Sequence, residues 1–250
     1  MDTEAGARQR SRAPHPRYDI RLARLEEPDL AQQAKTDIAQ QDKADIDLVL
    51  ELIDHAADWL RDKKNTTQWA RPWPSPYGRW KRVHDAIRDE ETWLLFHGTR
   101  PIGTVSIKLE GHEELWTPEE RETEAVYLHR LVIHRDYAGG GLGTELIDWA
   151  GRKGASLQPD AELVRIDVWT DNGELHDYYR RQGFKDVAVR TTSDKTPSGA
   201  LFEKPLEPSA PAAHPHIVES QLARVPRHPI GPLVIPGPKN SLPHPAGSRS

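Results

Sequence analysis

Residues 127–149 read YLHRLVIHRDYAGGGLGTELIDW. The stretch opens on an extended, β-rich run (Tyr127, Leu128, Leu131, Val132, Ile133) and passes through a polar arm from His134 to Ala138. Three consecutive glycines, Gly139 to Gly141, follow. It ends in an amphipathic pattern with Leu142, Leu146, Trp149 and Ala150 on one helical face. A strand feeding a glycine-rich turn that opens a helix is a device for holding anions. The first helical amides have no internal partner, and the helix dipole adds partial positive charge there. Glycines let a phosphate reach the backbone with no Cβ in between.

Spacing excludes two common phosphate loops. In a dinucleotide fingerprint GxGxxG the sixth position is Thr144 counted from Gly139 and Leu146 counted from Gly141. The nucleotide loop GxxxxGK(S/T) is absent as well, since no Gly-Lys-Ser or Gly-Lys-Thr occurs.

The rest of the chain sets bounds. Its 250 residues allow one sizeable domain plus tails, and a mean hydropathy of −0.75 implies that part of it carries no core. A net charge of −5 offers no argument for nucleic acid or an anionic membrane as partner. With no cysteine, disulfides, thiolate-held zinc and thiol nucleophiles are excluded. The 12 histidines are scattered, with no HxxxH pair on an expected helix, so no metal site is expected. The start lacks the apolar core of a signal peptide and no run reaches membrane-spanning length, which makes a cytoplasmic protein the expectation.

Residues 1–17 read as a loose tail and 18–25 as a first strand. After a polar stretch, a helix is expected from about Ile46, with Leu48, Leu52, Ala56 and Trp59 on one side and Val49, Ile53 and Leu60 beside them. The segment NTTQWARPWPSPYGRW cannot be regular helix until after Pro76, and residues 77–91 then read as helical. Residues 92–96 and 101–109 read as a hairpin and the acidic stretch 110–124 as a surface loop. Further strands are expected over 162–169, 184–189 and 200–204, with a short helix over 173–182. Beyond 206 the chain is Pro-rich and reads as a disordered tail, in which the apolar piece 230–237 stands alone. The pattern is α/β, and the strand at 125–134, its helix and the strand at 162–169 form a βαβ unit. Ligands in such sheets bind beyond the carboxyl ends of the strands, where the glycine loop begins.

Tyr137-Ala138-Gly139-Gly140-Gly141-Leu142-Gly143 resembles the pyrophosphate loop of the GNAT superfamily of acyl-CoA-dependent N-acyltransferases, Arg/Gln-x-x-Gly-x-Gly/Ala. Leu131-Val132-Ile133 resembles the L-x-V that ends that family's fourth strand. Ala138 stands where the family has Arg or Gln, which implies one side-chain contact fewer. A second motif lies thirty residues on. Asn172, Tyr179, Gly183 and Phe184 match the family's N-x6-Y-x3-G-F in register. The resemblance covers residues 18–206 and implies a single domain with a mixed, mostly antiparallel sheet. Its parallel fourth and fifth strands splay apart at the coenzyme site.

The resemblance also implies acetyl transfer from acetyl-CoA, as co-substrate, to a primary amine of a small molecule, with a homodimer common among relatives. Alternatives are acetylation of a protein N-terminus or lysine, and a CoA-binding regulatory protein without turnover. Leu131, Val132 and Ile133 would pair with the pantetheine arm, and Ala138, Gly139, Gly140, Gly141, Leu142, Gly143 and Thr144 would surround the pyrophosphate. Asn172 would touch the coenzyme as well as cap its helix. Tyr179 would protonate the leaving thiolate.

The amine arrives mostly protonated, with a pKa near ~10, so a base must take a proton. Tyr127, His129, Leu131 and Ile133 share one strand face by the period of two. His129 resembles a histidine used in the arylalkylamine branch of the family, and an imidazole titrating near ~6.5 suits that task. It also reads as a histidine packed within the sheet. Glu110, Glu113 and Glu114 are further candidates, or plain solvated surface. Trp69, Trp73 and Trp80, with Tyr127, are expected to line the acceptor pocket, or else simply to pack. His176 and Asp177 read as exposed.

Overall fold

The computed structural model describes residues 17–25, 44–64, 66–70, 72–206 and 216–220. The expectations for residues 1–16, for the polar stretch 26–43 and for the apolar piece 230–237 lie outside the described residues. The apolar and alternating runs form strands β1 (Tyr18–Leu22), β2 (Thr92–His97), β3 (Arg100–Lys108), β4 (Ala125–Ile133), β5 (Leu163–Val168), β6 (Lys185–Val189), β7 (Ala200–Pro205) and β8 (Ile217–Glu219). They make one sheet in the order β6-β7-β5-β4-β3-β2-β1-β8. Its neighbours are antiparallel except for β4–β5 and β1–β8. This is the α/β class expected, a mixed sheet built around a parallel β4–β5 pair.

The helices are α1 (Asp45–Lys63), α2 (Pro76–Arg88), α3 (Pro118–Arg121), α4 (Leu142–Leu157) and α5 (Gly173–Arg181). α2 begins where its sequence permits. Ser75 caps it by accepting from the Gly78 amide, and Pro76 fills a first-turn position that needs no amide.

Leu142, Leu146, Ile147, Trp149 and Ala150 of α4 pack on Val105, Val126, Leu128, Val164 and Ile166 in the main core. A Cβ on Gly154 would stand 2.3 Å from Val126 Cγ1, so this glycine lets α4 settle directly on β4. On the other face α1 and α2 bring Ile46, Val49, Leu52, Ile53, Val83 and Ile87 against Leu94 and Val132. Each such side chain removed from water contributes roughly 1.5–3 kcal/mol, so both faces of the sheet are firmly anchored. No helix among the described residues is long and apolar enough to cross a membrane.

Two stretches differ from their expectation. The acidic segment 110–124 is not simply a surface loop. It holds α3, begun by a Thr117–Glu120 capping box, and its Leu115 and Trp116 are buried with Tyr127 and Leu201 in a third core. An apolar pair hidden in an acidic composition does the packing while the carboxylates stay outside. The second is the tail after residue 206, expected to be disordered, which supplies β8. There the Tyr18 amide donates to the His216 carbonyl and the Ser220 amide to the Ile20 carbonyl, which covers the outer edge of β1.

Candidate active site

β4 changes partners half-way along. Its pairing with β5 runs from Ala125 opposite Leu163 to Leu128 opposite Ile166 and stops there, although both strands continue. On the β3 side Ser106 pairs with His129 and Thr104 with Val132, so three steps along β4 face two along β3. Arg130, with φ 48°, sits at this bulge.

The extra residue inverts the side-chain pattern. Leu131 and Ile133 turn to the α4 face with Val126 and Leu128, while Val132 joins the α1–α2 core. The expectation that Tyr127, His129, Leu131 and Ile133 share one face is therefore corrected. The period of two holds only as far as the bulge.

A cavity of about 1030 Å³ opens where β4 and β5 part. At one end it is lined by Ala138, Gly139, Gly141, Gly143 and Thr144. Gly140 is exposed outside the lining, and Leu142 faces the core. Gly139 and Gly141 have φ of 89° and 86°, a region that side chains avoid, and a Cβ on either would meet nothing within 4 Å. The first helical bond of α4 runs from the Glu145 amide to the Gly141 carbonyl. The amides of Leu142, Gly143 and Thr144 thus have no helical acceptor, and this open, amide-lined cradle fits a pyrophosphate. Ala138 brings no charge, but the guanidinium of Arg135 lies 3.5 Å over the Trp59 ring and lines the same space.

His129, Asp167 and Tyr179 all line this cavity, and the first two are in contact. His129 Nδ1 lies 3.2 Å from Asp167 Oδ1 across the gap between the strands, with side chains 22% and 10% exposed. Burial pushes the His129 imidazole below its ordinary value. The Asp167 carboxylate opposes this, while Arg130, Lys108 and Arg82 add to it. Tyr179, on α5, belongs to the main core yet its ring lines the cavity. Burial raises its hydroxyl well above the ordinary value of 10.0, so it stays protonated.

The position of Tyr179 is fixed from both ends of α5. Asn172 Oδ1 accepts from the Leu175 amide at 3.1 Å, and its Nδ2 donates to Gln68 Oε1 at 2.6 Å. At the far end Gly183 adopts φ 85° and the Phe184 amide closes on the Tyr179 carbonyl. Leu131, Val132 and Ile133 also line the cavity, as does Asn172.

α2 and the α1–α2 connection supply further lining, while α1 also reaches the glycine loop through Trp59. Trp69 and Trp73 line the cavity. Trp80 does not; it is stacked between Tyr77 and His84 on α2 and 38% exposed. Tyr127 does not line it either. Its hydroxyl accepts from Arg165 Nη1 at 3.1 Å and its ring stands edge-on to Trp116, which ties it into the third core.

Of the acidic candidates, Glu110 reaches the rim, whereas Glu113 and Glu114 lie outside the lining and Glu114 accepts from Ser193. His176 bonds to the Trp169 carbonyl and Asp177 to Arg180, both off the cavity. Asp167, Arg82, Arg130 and Arg135 were not picked out by the sequence. No motif marks them: Asp167 and Arg130 enter through the strand separation and the bulge, Arg82 through the packing of α2 and Arg135 through that of α1.

The acetyltransferase (GNAT) family model matches residues 53–184. YesJ of Bacillus subtilis (strain 168), described as an uncharacterized N-acetyltransferase, is 31% identical over 159 residues, covering 61% of this chain and 81% of YesJ. A GNAT-family acetyltransferase of Listeria monocytogenes 4b F2365, solved by crystallography, superposes with a TM-score of 0.50 at 22% identity, covering 64% of this chain and 89% of that one. A GNAT-family acetyltransferase of Streptococcus agalactiae 2603 has a TM-score of 0.48 at 16% identity, covering 75% and 95%.

Proposed function

Because the chain belongs to the acetyltransferase (GNAT) family and is an N-acetyltransferase, we propose that it moves an acetyl group from acetyl-CoA to a primary amine of a small molecule. The observation that carries this reading is the His129–Asp167 pair where β4 and β5 part, with Tyr179 in the lining of the same cavity. Bound acetyl-CoA supplies a thioester whose carbonyl carbon forms a C–N bond with the amine as its C–S bond breaks.

The amides of Gly139, Gly141, Gly143 and Thr144 hold the pyrophosphate, with Arg135 in place of the charge missing at Ala138. Beyond Leu128 the backbone of β4 is released from β5, so Leu131 and Ile133 can pair with the pantetheine arm as with an added strand. Asp167 beside Nδ1 holds His129 in the tautomer that leaves Nε2 free. That nitrogen, kept neutral as burial lowers its pKa, takes one of the two protons that the ammonium loses on becoming an amide, and the other passes to solvent. Tyr179 gives its proton to the departing sulfur and recovers one from solvent. Trp69 and Trp73 line the acceptor end with aromatic surface, which suits a small amine.

Calorimetric titration of the protein with acetyl-CoA and with CoA tests the reading. Micromolar binding of both, with amine-dependent release of CoA, is expected. A protein that binds neither would sink it.

A further inference from the structure

We infer that the acceptor carries an anionic group, a carboxylate or a phosphate, besides its amine, and that Arg82 of α2 and Arg130 of the β4 bulge hold it. The inference deepens the acyl-transfer reading and rests on it. Both arginines line the cavity, and among the described residues neither has a carboxylate within ion-pairing distance.

Their own contacts are uncharged. Arg130 Nη1 donates to Ser106 Oγ at 3.2 Å and its Nη2 to the Arg82 carbonyl at 3.1 Å. The Arg82 guanidinium lies 4.6 Å over the Trp73 ring. Each guanidinium offers five N–H donors in a planar fork that fits a carboxylate or phosphate, so donors remain on both.

The acids of the same cavity are mostly engaged elsewhere. Asp85 is held by Lys81 and Arg88, Asp89 by Arg88 and Glu174 by Lys64. Lys108 is matched by Glu91. Asp167 is committed to His129, and Glu110 stands exposed at the rim. Partial withdrawal from water lowers both guanidiniums, Arg130 to about 10, and Arg82 adds to the effect on Arg130.

Asp167 and Glu91 act on Arg130, and Asp167 and Asp194 on Arg82, only at longer range; two like charges beside the base with no carboxylate in contact disfavour an acceptor that is only cationic. An amine that brings its own anion is matched at both ends: ammonium toward Asp167 and His129, anion toward the arginines.

The test compares γ-aminobutyrate with butylamine and O-phosphoethanolamine with ethanolamine, with spermidine as a polycation. Rates of CoA release give kcat/KM, and calorimetry on the CoA-bound protein gives acceptor affinity. At least one anionic member should exceed its counterpart lacking the anion by about tenfold or more in both readouts, and which pair does so separates carboxylate from phosphate. Arg82 is exposed on a helix, so Arg82→Gln spares the fold. It should raise KM for the favoured anionic amine by about tenfold while the affinity for acetyl-CoA is unchanged.

Equal or better use of both butylamine and ethanolamine than of their anionic partners, or better use of spermidine than of either anionic amine, overturns the inference. So does a preference that survives Arg82→Gln, or a protein that binds acetyl-CoA and acetylates neither anionic amine. A protein that fails to bind acetyl-CoA at all brings down the acyl-transfer reading first, and this inference with it.

Discussion

The two ends of the cavity are made of different materials. The end proposed for the donor is main chain: glycines in left-handed conformations, amides without a helical acceptor at the start of α4, and a stretch of β4 released from its neighbour. The end proposed for the acceptor is side chain: Trp69 and Trp73 from the α1–α2 connection, Arg82 from α2 and Arg130 from the bulge. Backbone recognition needs residues that do little but stay out of the way, so it leaves a short, spaced motif. Side-chain recognition needs distant residues to converge, and convergence leaves no local signature.

The comparison breaks most readily at Gly141. Its φ of 86° and the open space around a would-be Cβ mean that Gly141→Glu strains the loop locally and places a carboxylate in the cradle. We expect acetyl-CoA affinity to fall by at least ~100-fold in calorimetry, with the thermal transition little moved. An unchanged affinity would mean that the loop is not the donor site.

Between the two ends, Tyr179→Phe should lower kcat by about 100-fold and leave acetyl-CoA binding intact. The same region carries a pH signature. Since the His129 imidazole titrates below 6.5, it stays neutral as pH falls through that value, and the acid limb of kcat/KM should lie below pH 6.5. His129→Gln should abolish that limb. A limb at or above 6.5 in the wild type would assign the base to another group.

The smallest effects sharpen the acceptor end. Trp73→Ala should raise the acceptor KM several-fold without touching acetyl-CoA, because Trp73 lines the cavity and supports Arg82. Trp80→Ala should leave both constants within about twofold, as expected of a residue outside the site. Equal effects from the two would show that the tryptophans act only through packing.

Much of the fold was legible because the periodicities are strong and punctuated: the α4 stripe of Leu142, Leu146 and Trp149, the Ser75-Pro76 start of α2, and Asn172 to Phe184 around α5. The misreadings share one cause, which is tertiary geometry overriding a local pattern. Arg130 adopts a positive φ with no glycine or asparagine to announce it, so Tyr127 and Leu131 were placed on one face when a bulge separates them. Trp80 shares composition with Trp69 and Trp73, but the turn of α2 aims it elsewhere. Asp167 sits in an ordinary strand run, and only the parting of β4 from β5 brings it to His129. β8 is three residues long in a proline-rich stretch, too short to carry a period.

The bulge has a consequence for how this chain can diverge. It works as a change of parity within β4: residues before it are counted odd and even one way, residues after it the other. A single deletion there would send Leu131 and Ile133 toward α1 and α2 and drive Val132 into α4, exchanging the two walls of the site at once. Loops over the acceptor end can gain or lose residues and so explore new amines. β4 can accept only substitutions, and its length is held by the geometry it divides.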